Sequence, residues 1–357
     1  MAEKSFAELN AERLKTALEL GQPDQVPVAI PVMGWWSTAY IGVKQMREYY
    51  MNPKVMLEAQ QAVNKRFRDI VGYWPDFGVV LEVSGIGAKI RFPENESPWV
   101  DEPVVKVPEN IDKLRVPDVH KDGLFPQFWK TWDYMASHGC DPSTGLFYTD
   151  GPIDKAAMLR GVTQIMNDIV QSPDLVHKIL RITAETSIEY FKAIEQKVGG
   201  LPGNALQVAD DLSGFLSPKS FREFHMNYAK RIYDSFSSEY SRHWHSDSER
   251  VMNVAHLLPE MGVKAFWYPS YRIDIAEMKQ KIGDKICLIG NVDCLDVLLR
   301  GTAQDVEKAS RECIKKAARN GAYVLGPGGE VIRGIPPGNV DALIDSSIKY
   351  GKYPIET

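Results

Sequence analysis

Cysteine is scarce in this chain and poorly spaced for metal binding. The four cysteines, Cys140, Cys287, Cys294 and Cys313, form no CxxC pair. That excludes a zinc ribbon and a CxxC redox couple, and it fits a reducing cytoplasm. Long apolar runs are missing too: no stretch of eighteen apolar residues reads as a membrane span. Met1 to Gln22 is charged and helix-like, without the apolar core of a signal peptide. Positive charge is not in excess, with 42 Lys and Arg against 47 Asp and Glu. The net charge of −5 argues against nucleic acid or an anionic membrane as the main partner. The loop Gly326-Pro-Gly-Gly329 lacks the Lys-Ser/Thr of a phosphate loop and reads as a sharp turn. No internal repeat or low-complexity linker is present.

What the chain does have is a strand–helix rhythm. Short apolar runs are expected to be strands at Val26–Val32, Asp76–Val83, Gly145–Thr149, Ala205–Ala209, Arg242–His245, Ala265–Tyr268, Ile286–Ile289 and Tyr323–Leu325. Gly85–Arg91 reads as the second arm of a hairpin, and Gly34-Trp35-Trp36 as a loop. Helices are expected at Asn10–Leu20, Pro53–Ile70, Leu124–His138 and Asp174–Lys197, from Ser217-Pro218 to Phe236, and at Glu249–Met261, Ile273–Lys281, Thr302–Arg319 and Val340–Tyr350. Strands alternating with helices imply βαβ units and a parallel sheet. About eight of them fit a single (β/α)₈ barrel, a TIM barrel spanning residues 1–357, with residues 1–22 as a helical extension.

Chemistry gathers at the predicted strand ends, where such a barrel places its site. His243 and His245 stand two apart on one strand, so both imidazoles face the same side. Ser246 and Glu249 have the spacing of a capping box, so a helix is expected to open there. A catalytic zinc takes three protein ligands and leaves one position open. Two are His243 and His245, and the third is drawn from Asp210, Asp211, Glu223 and Glu330. Asp247 reads as a first-turn helix charge, and His225 as a residue of the helix surface. Trp36, Tyr148 and Trp267 are the candidate substrate contacts among the aromatic residues near strand ends.

The segment from Asp210-Asp-Leu-Ser-Gly to Phe224 resembles the uroporphyrinogen decarboxylase superfamily. So do Ile289-Gly-Asn-Val-Asp293, Leu299-Arg-Gly-Thr302, Gly326–Gly329 and Ile335-Pro-Pro-Gly-Asn339. The resemblance implies a (β/α)₈ barrel with its site at the carboxyl-end mouth. It also implies either decarboxylation or zinc-dependent, corrinoid-linked methyl transfer. The decarboxylases carry an arginine-bearing segment after the first strand, whereas Met33–Gly42 has no arginine. The thiol-methylating branch holds zinc by His-x-Cys and a later Cys. Here His245 stands for the first Cys and Gly329 for the later one. What remains is similar to the O-demethylase methyltransferases. That likeness implies Asp210, Glu223 and His243 as zinc ligands beside the His245 read from spacing, with Asp210 and His243 as catalytic residues. The methyl would pass from a methoxylated, aromatic substrate to the cobalt of a partner corrinoid protein. A decarboxylase of a porphyrinogen-like acid and a non-catalytic metal-binding barrel are the alternatives.

Overall fold

The computed structural model describes residues 4–94, 96–269 and 273–355. They fall into two compact units. Gly42–Glu58 and Tyr73–Arg242 make a middle unit; Met1–Ile41, Ala59–Gly72 and His243–Thr357 make a terminal unit.

In the middle unit β1 (Ile90–Arg91) and β2 (Trp99–Val100) form a short antiparallel hairpin. β3 (Thr149–Asp150) and β4 (Ala205–Ala209) run parallel, with Asp150 opposite Ala209. Between them lies the helix Pro173–Val198, opened by proline in its first turn and closed by Gly199 at φ 80. Its apolar positions Val176, Ile179, Leu180, Ala184, Phe191 and Ile194 recur at helical spacing and are buried. The strand expected over Asp76–Val83 is instead a 3₁₀ turn, Gly78–Val80, followed by the helix Leu81–Ile86. Asp76 explains the change. Its Oδ1 accepts the Gly78 N–H (3.1 Å), an Asx turn that bends the chain before a ladder can start.

The terminal unit carries β5 (Ser241–His245) from His243 onward, β6 (Ala265–Trp267), β7 (Cys287–Ile289) and β8 (Tyr323–Val324). From His243 onward they pair parallel in chain order. The helix Ala303–Ala317 is opened by a capping box of Thr302 and Asp305, and Pro337–Tyr350 is the last helix. The expected strand Val26–Val32 is reduced to one bridge, Val28 to Leu325. Pro27 and Pro31 donate nothing to a ladder. The buried Asn10 amide takes both the N–H and the carbonyl of Val28, at 2.9 Å each. Gly34–Ile41 is a helix rather than a loop, anchored by Trp36. After Ser246 no α-helix opens. Two 3₁₀ stretches follow, Val251–Asn253 and Ala255–Met261, the second containing Pro259. Ser246 Oγ accepts the Ser248 N–H instead of capping a helix. Among the described residues no helix is long and apolar enough to cross a membrane.

Candidate active site

The site-bearing groups of the middle unit stand at the carboxyl ends of β3 and β4. Asp210 is fully buried, and its own loop uses it up. Its carboxylate accepts the Ser213 N–H at 3.0 Å, the Ile153 N–H at 3.2 Å and the His225 Nδ1–H at 3.2 Å. Gly151 is required beneath it, because a Cβ there would lie 2.0 Å from Asp210 Oδ2. Asp154 accepts the N–H groups of Asp211 (2.7 Å) and Leu212 (3.0 Å). Burial first, then the Asp210 charge, pushes its carboxyl well above the ordinary range.

Below these loops lies a closed polar network. Lys155 is fully buried and donates to Glu82 Oε1 (2.6 Å), to Thr149 Oγ1 (3.0 Å) and to Ser187. Thr149 donates in turn to Glu82 Oε2 at 2.6 Å. All three ammonium hydrogens therefore have acceptors, so Lys155 is spent as the counter-ion of Glu82.

Next to this network is a pocket with Trp74, Phe77, Tyr148 and Tyr190 as walls, and Asp76, Glu82 and Asp150 among its lining. Asp76 is held by Tyr49 Oη–H (3.1 Å) and by the turn at Gly78. Asp150 is 6% exposed, and burial, then the Glu82 charge, raises its pKa well above the usual carboxyl value. No arginine, lysine or histidine is among the described lining residues.

In the terminal unit His243 and His245 end β5, as expected. The ring of His245 lies 4.1 Å from that of Trp267, centroid to centroid. Its Nδ1–H donates to the Trp267 carbonyl at 3.1 Å. That bond fixes the tautomer and leaves the Nε2 lone pair directed toward Asp247 Oδ1, 3.6 Å away. Desolvation lowers the His243 pKa from 6.5 to about 4, so its imidazole is neutral at physiological pH, the state a metal ligand needs. Trp267 is itself fixed by its indole N–H on the Pro327 carbonyl (3.0 Å). Gly329 sits at φ +115, where a Cβ would meet Asp247 Oδ1 at 3.3 Å.

Several expectations need correction. Asp210 is a structural acceptor. Glu223 lies in a π-helical turn, Phe221–Met226, with its side chain 44% exposed and 3.5 Å from His177 Nε2. His225 is buried against Asp210 rather than on a helix surface. Asp247 is no helix charge but the neighbour of His245. Trp36 is packed on Tyr40 and Phe67, with its indole on the Ile335 carbonyl, so it belongs to the core. Tyr148 does line a pocket. Among the described residues no three His, Cys, Asp or Glu side chains converge closely enough to hold a metal ion, so the expected zinc set does not assemble. Sequence reading missed the Glu82–Lys155 pair. Its one trace was a lysine inside the apolar turn Ile153–Leu159, where a solvated side chain has no outlet.

The family model for uroporphyrinogen decarboxylase matches residues 9–350. The chain belongs to the uroporphyrinogen decarboxylase family. It is 24% identical to the uroporphyrinogen decarboxylase of Thioalkalivibrio sulfidiphilus, over 96% of this chain and 99% of that one. It is also 24% identical to the methylated-thiol–coenzyme M methyltransferase of Methanosarcina mazei, over 76% of this chain and 70% of that one. A solved methyltransferase from Methanosarcina mazei aligns with a TM-score of 0.82 at 21% identity, over 98% of this chain and 99% of that chain. That likeness gives the fold: α/β, of the uroporphyrinogen decarboxylase-like barrel class. Named relatives on both sides are enzymes, decarboxylases and a methyltransferase.

Proposed function

We propose that the protein is a methyltransferase of this family that takes a methyl group from a methoxylated aromatic compound. The acceptor is the cobalt of a corrinoid carried by a partner protein, so the net reaction is O-demethylation. One observation carries the choice of substrate. The middle-unit pocket has aromatic walls and three acidic groups in its lining, while the one lysine nearby is bound to Glu82. A porphyrinogen with many carboxylates would find no cation among the described lining residues to meet them, at a high desolvation cost. Met33–Gly42, which has no arginine, supports the same choice. A flat neutral ring with an ether oxygen meets the walls without that cost.

A zinc at His243 and His245 remains part of the proposal, although among the described residues no third His, Cys, Asp or Glu stands close enough to complete the set. The neutral state of His243 and the fixed tautomer of His245 support it. The cytoplasm is the proposed location, in line with four cysteines that are all free. Decarboxylation of a porphyrinogen-like acid is the second reading, favoured by the near full-length likeness to decarboxylases. The deciding experiment incubates purified protein with methoxyphenols and reduced cobalamin, and in parallel with uroporphyrinogen. Methylcobalamin and free phenol are the expected products. Carbon dioxide release from the tetrapyrrole, with no methylcobalamin, would replace this reading by the second.

A further inference from the structure

The carboxyl of Asp150 is the one acidic group at these strand ends that the fold leaves unused. Asp154 accepts two backbone N–H groups, Asp210 two and a histidine, Glu82 a lysine and a threonine, and Asp76 a tyrosine and a backbone N–H. Asp150 is 6% exposed and lines the pocket, yet its side chain makes no hydrogen bond with any described residue. Its oxygens are not among the fully enclosed atoms without a partner, so the carboxyl keeps contact with the pocket. The groups that act on it are the charges of Glu82, Asp211 and Asp210, opposed by Lys155, and Tyr148 and Tyr190 line the same pocket. Desolvation first, then three negative charges against one committed cation, favour the protonated form of Asp150.

We propose that Asp150 is the acid that gives its proton to the substrate oxygen from which the methyl group departs. The proposal rests on the methyl-transfer reading. In the step, the electron pair of the reduced corrinoid cobalt forms the bond to the methyl carbon. The carbon–oxygen bond breaks with its pair on oxygen. That oxygen takes the Asp150 proton, and the products are the phenol and an Asp150 carboxylate. The carboxylate regains a proton from water once the phenol has left. An aryl oxide is a poor leaving group beside a phenol, so a positioned acid is worth on the order of 100-fold or more.

The test uses Asp150→Asn, which keeps the shape and the neutral state but holds no transferable proton. Its melting temperature is expected within a few degrees of the parent. On a plain methoxyphenol, kcat is expected to fall about 100-fold. On a nitro-substituted methoxyarene, whose phenolate leaves without help, the loss is expected to be only a few-fold. The parent's high-pH limb of kcat should vanish in the variant. The infrared difference spectrum at neutral pH, parent minus Asp150→Asn, should show a protonated-carboxyl stretch from the parent, with Asp154 cancelling because both proteins carry it. Equal losses on both substrates, or no such band in the parent, overturn the role of Asp150. A parent that demethylates no methoxyarene overturns the methyl-transfer reading itself.

Discussion

Lys155 Nζ lies 2.6 Å from Glu82 Oε1 with almost no solvent at either side chain. The attraction in such a pair is set against the cost of taking two charges out of water, so the pair is weak evidence of net stability. Breaking it is another matter. Lys155→Met leaves the Glu82 carboxylate buried without its cation, and a loss of about 3–5 kcal/mol is expected. The double variant Lys155→Met with Glu82→Gln should recover most of that loss. Urea unfolding of the two singles and the double checks this, and a double variant no more stable than Lys155→Met would refute the coupling.

A second expectation concerns Gly151. Its Cβ position lies 2.0 Å from Asp210 Oδ2, and Asp210 in turn holds the loop through Ser213 and the turn at Ile153. Gly151→Ala therefore has to move a carboxylate that three donors fix. A loss of about 1–3 kcal/mol is expected, the usual range for overpacking. Activity should fall with it, because Asp150 is the preceding residue. Thermal unfolding at matched pH, compared with the control Gly200→Ala, where a Cβ meets only the Tyr240 hydroxyl at 3.8 Å and the backbone is not left-handed, measures the steric part. A Gly151→Ala loss no larger than the control's would dismiss the clash.

The sequence made the terminal-unit strands legible because their apolar runs are short, continuous and followed by helices. β4 coincides with its expected span, and His243 and His245 do end β5. Legibility failed where a single side chain overrode local preference. Val79, Val80 and Leu81 suggest a strand, but Asp76 turns the chain first. Val26 to Val32 suggests another, but Asn10 takes the hydrogen bonds of Val28. The ligand set failed for a related reason. Spacing places Asp210 near the right strand end, while only the fold reveals that Ser213, Ile153 and His225 already occupy its carboxylate. Lys155 and Glu82 are 73 residues apart, and no local pattern links them.

His243 sets a pH dependence whose direction follows from its surroundings. Its pKa is lowered from 6.5 to about 4 by desolvation. Between those values the unfolded chain binds a proton that the folded chain refuses, so stability rises with pH across that window and is flat above it. The stability lost between neutral pH and pH 4 is roughly 2 kcal/mol, after allowance for partial exposure of the ring. Urea midpoints of the parent should drop from pH 7 to pH 4.5 by more than those of His243→Asn. Parallel curves for the two proteins would place the pH dependence elsewhere.

Zinc binding supplies the last expectation. Two ligands of one tetrahedral zinc, with bonds of about 2.0–2.1 Å, stand roughly 3.3 Å apart. His245 Nε2 and Asp247 Oδ1 are separated by 3.6 Å, within a small side-chain movement of that spacing. Asp247 also occupies the space beside Gly329, where a side chain of any size would press on its carboxylate. Glu223 instead has a partly exposed side chain 3.5 Å from His177. The proposed zinc should therefore be lost from His243→Ala and His245→Ala and weakened about 10-fold or more in Asp247→Ala. In Glu223→Ala it should stay at the parental level. Metal analysis after dialysis, with competition by a chelator, separates these cases. Zinc that survives Asp247→Ala but not Glu223→Ala would return the carboxylate ligand to the helix after β4.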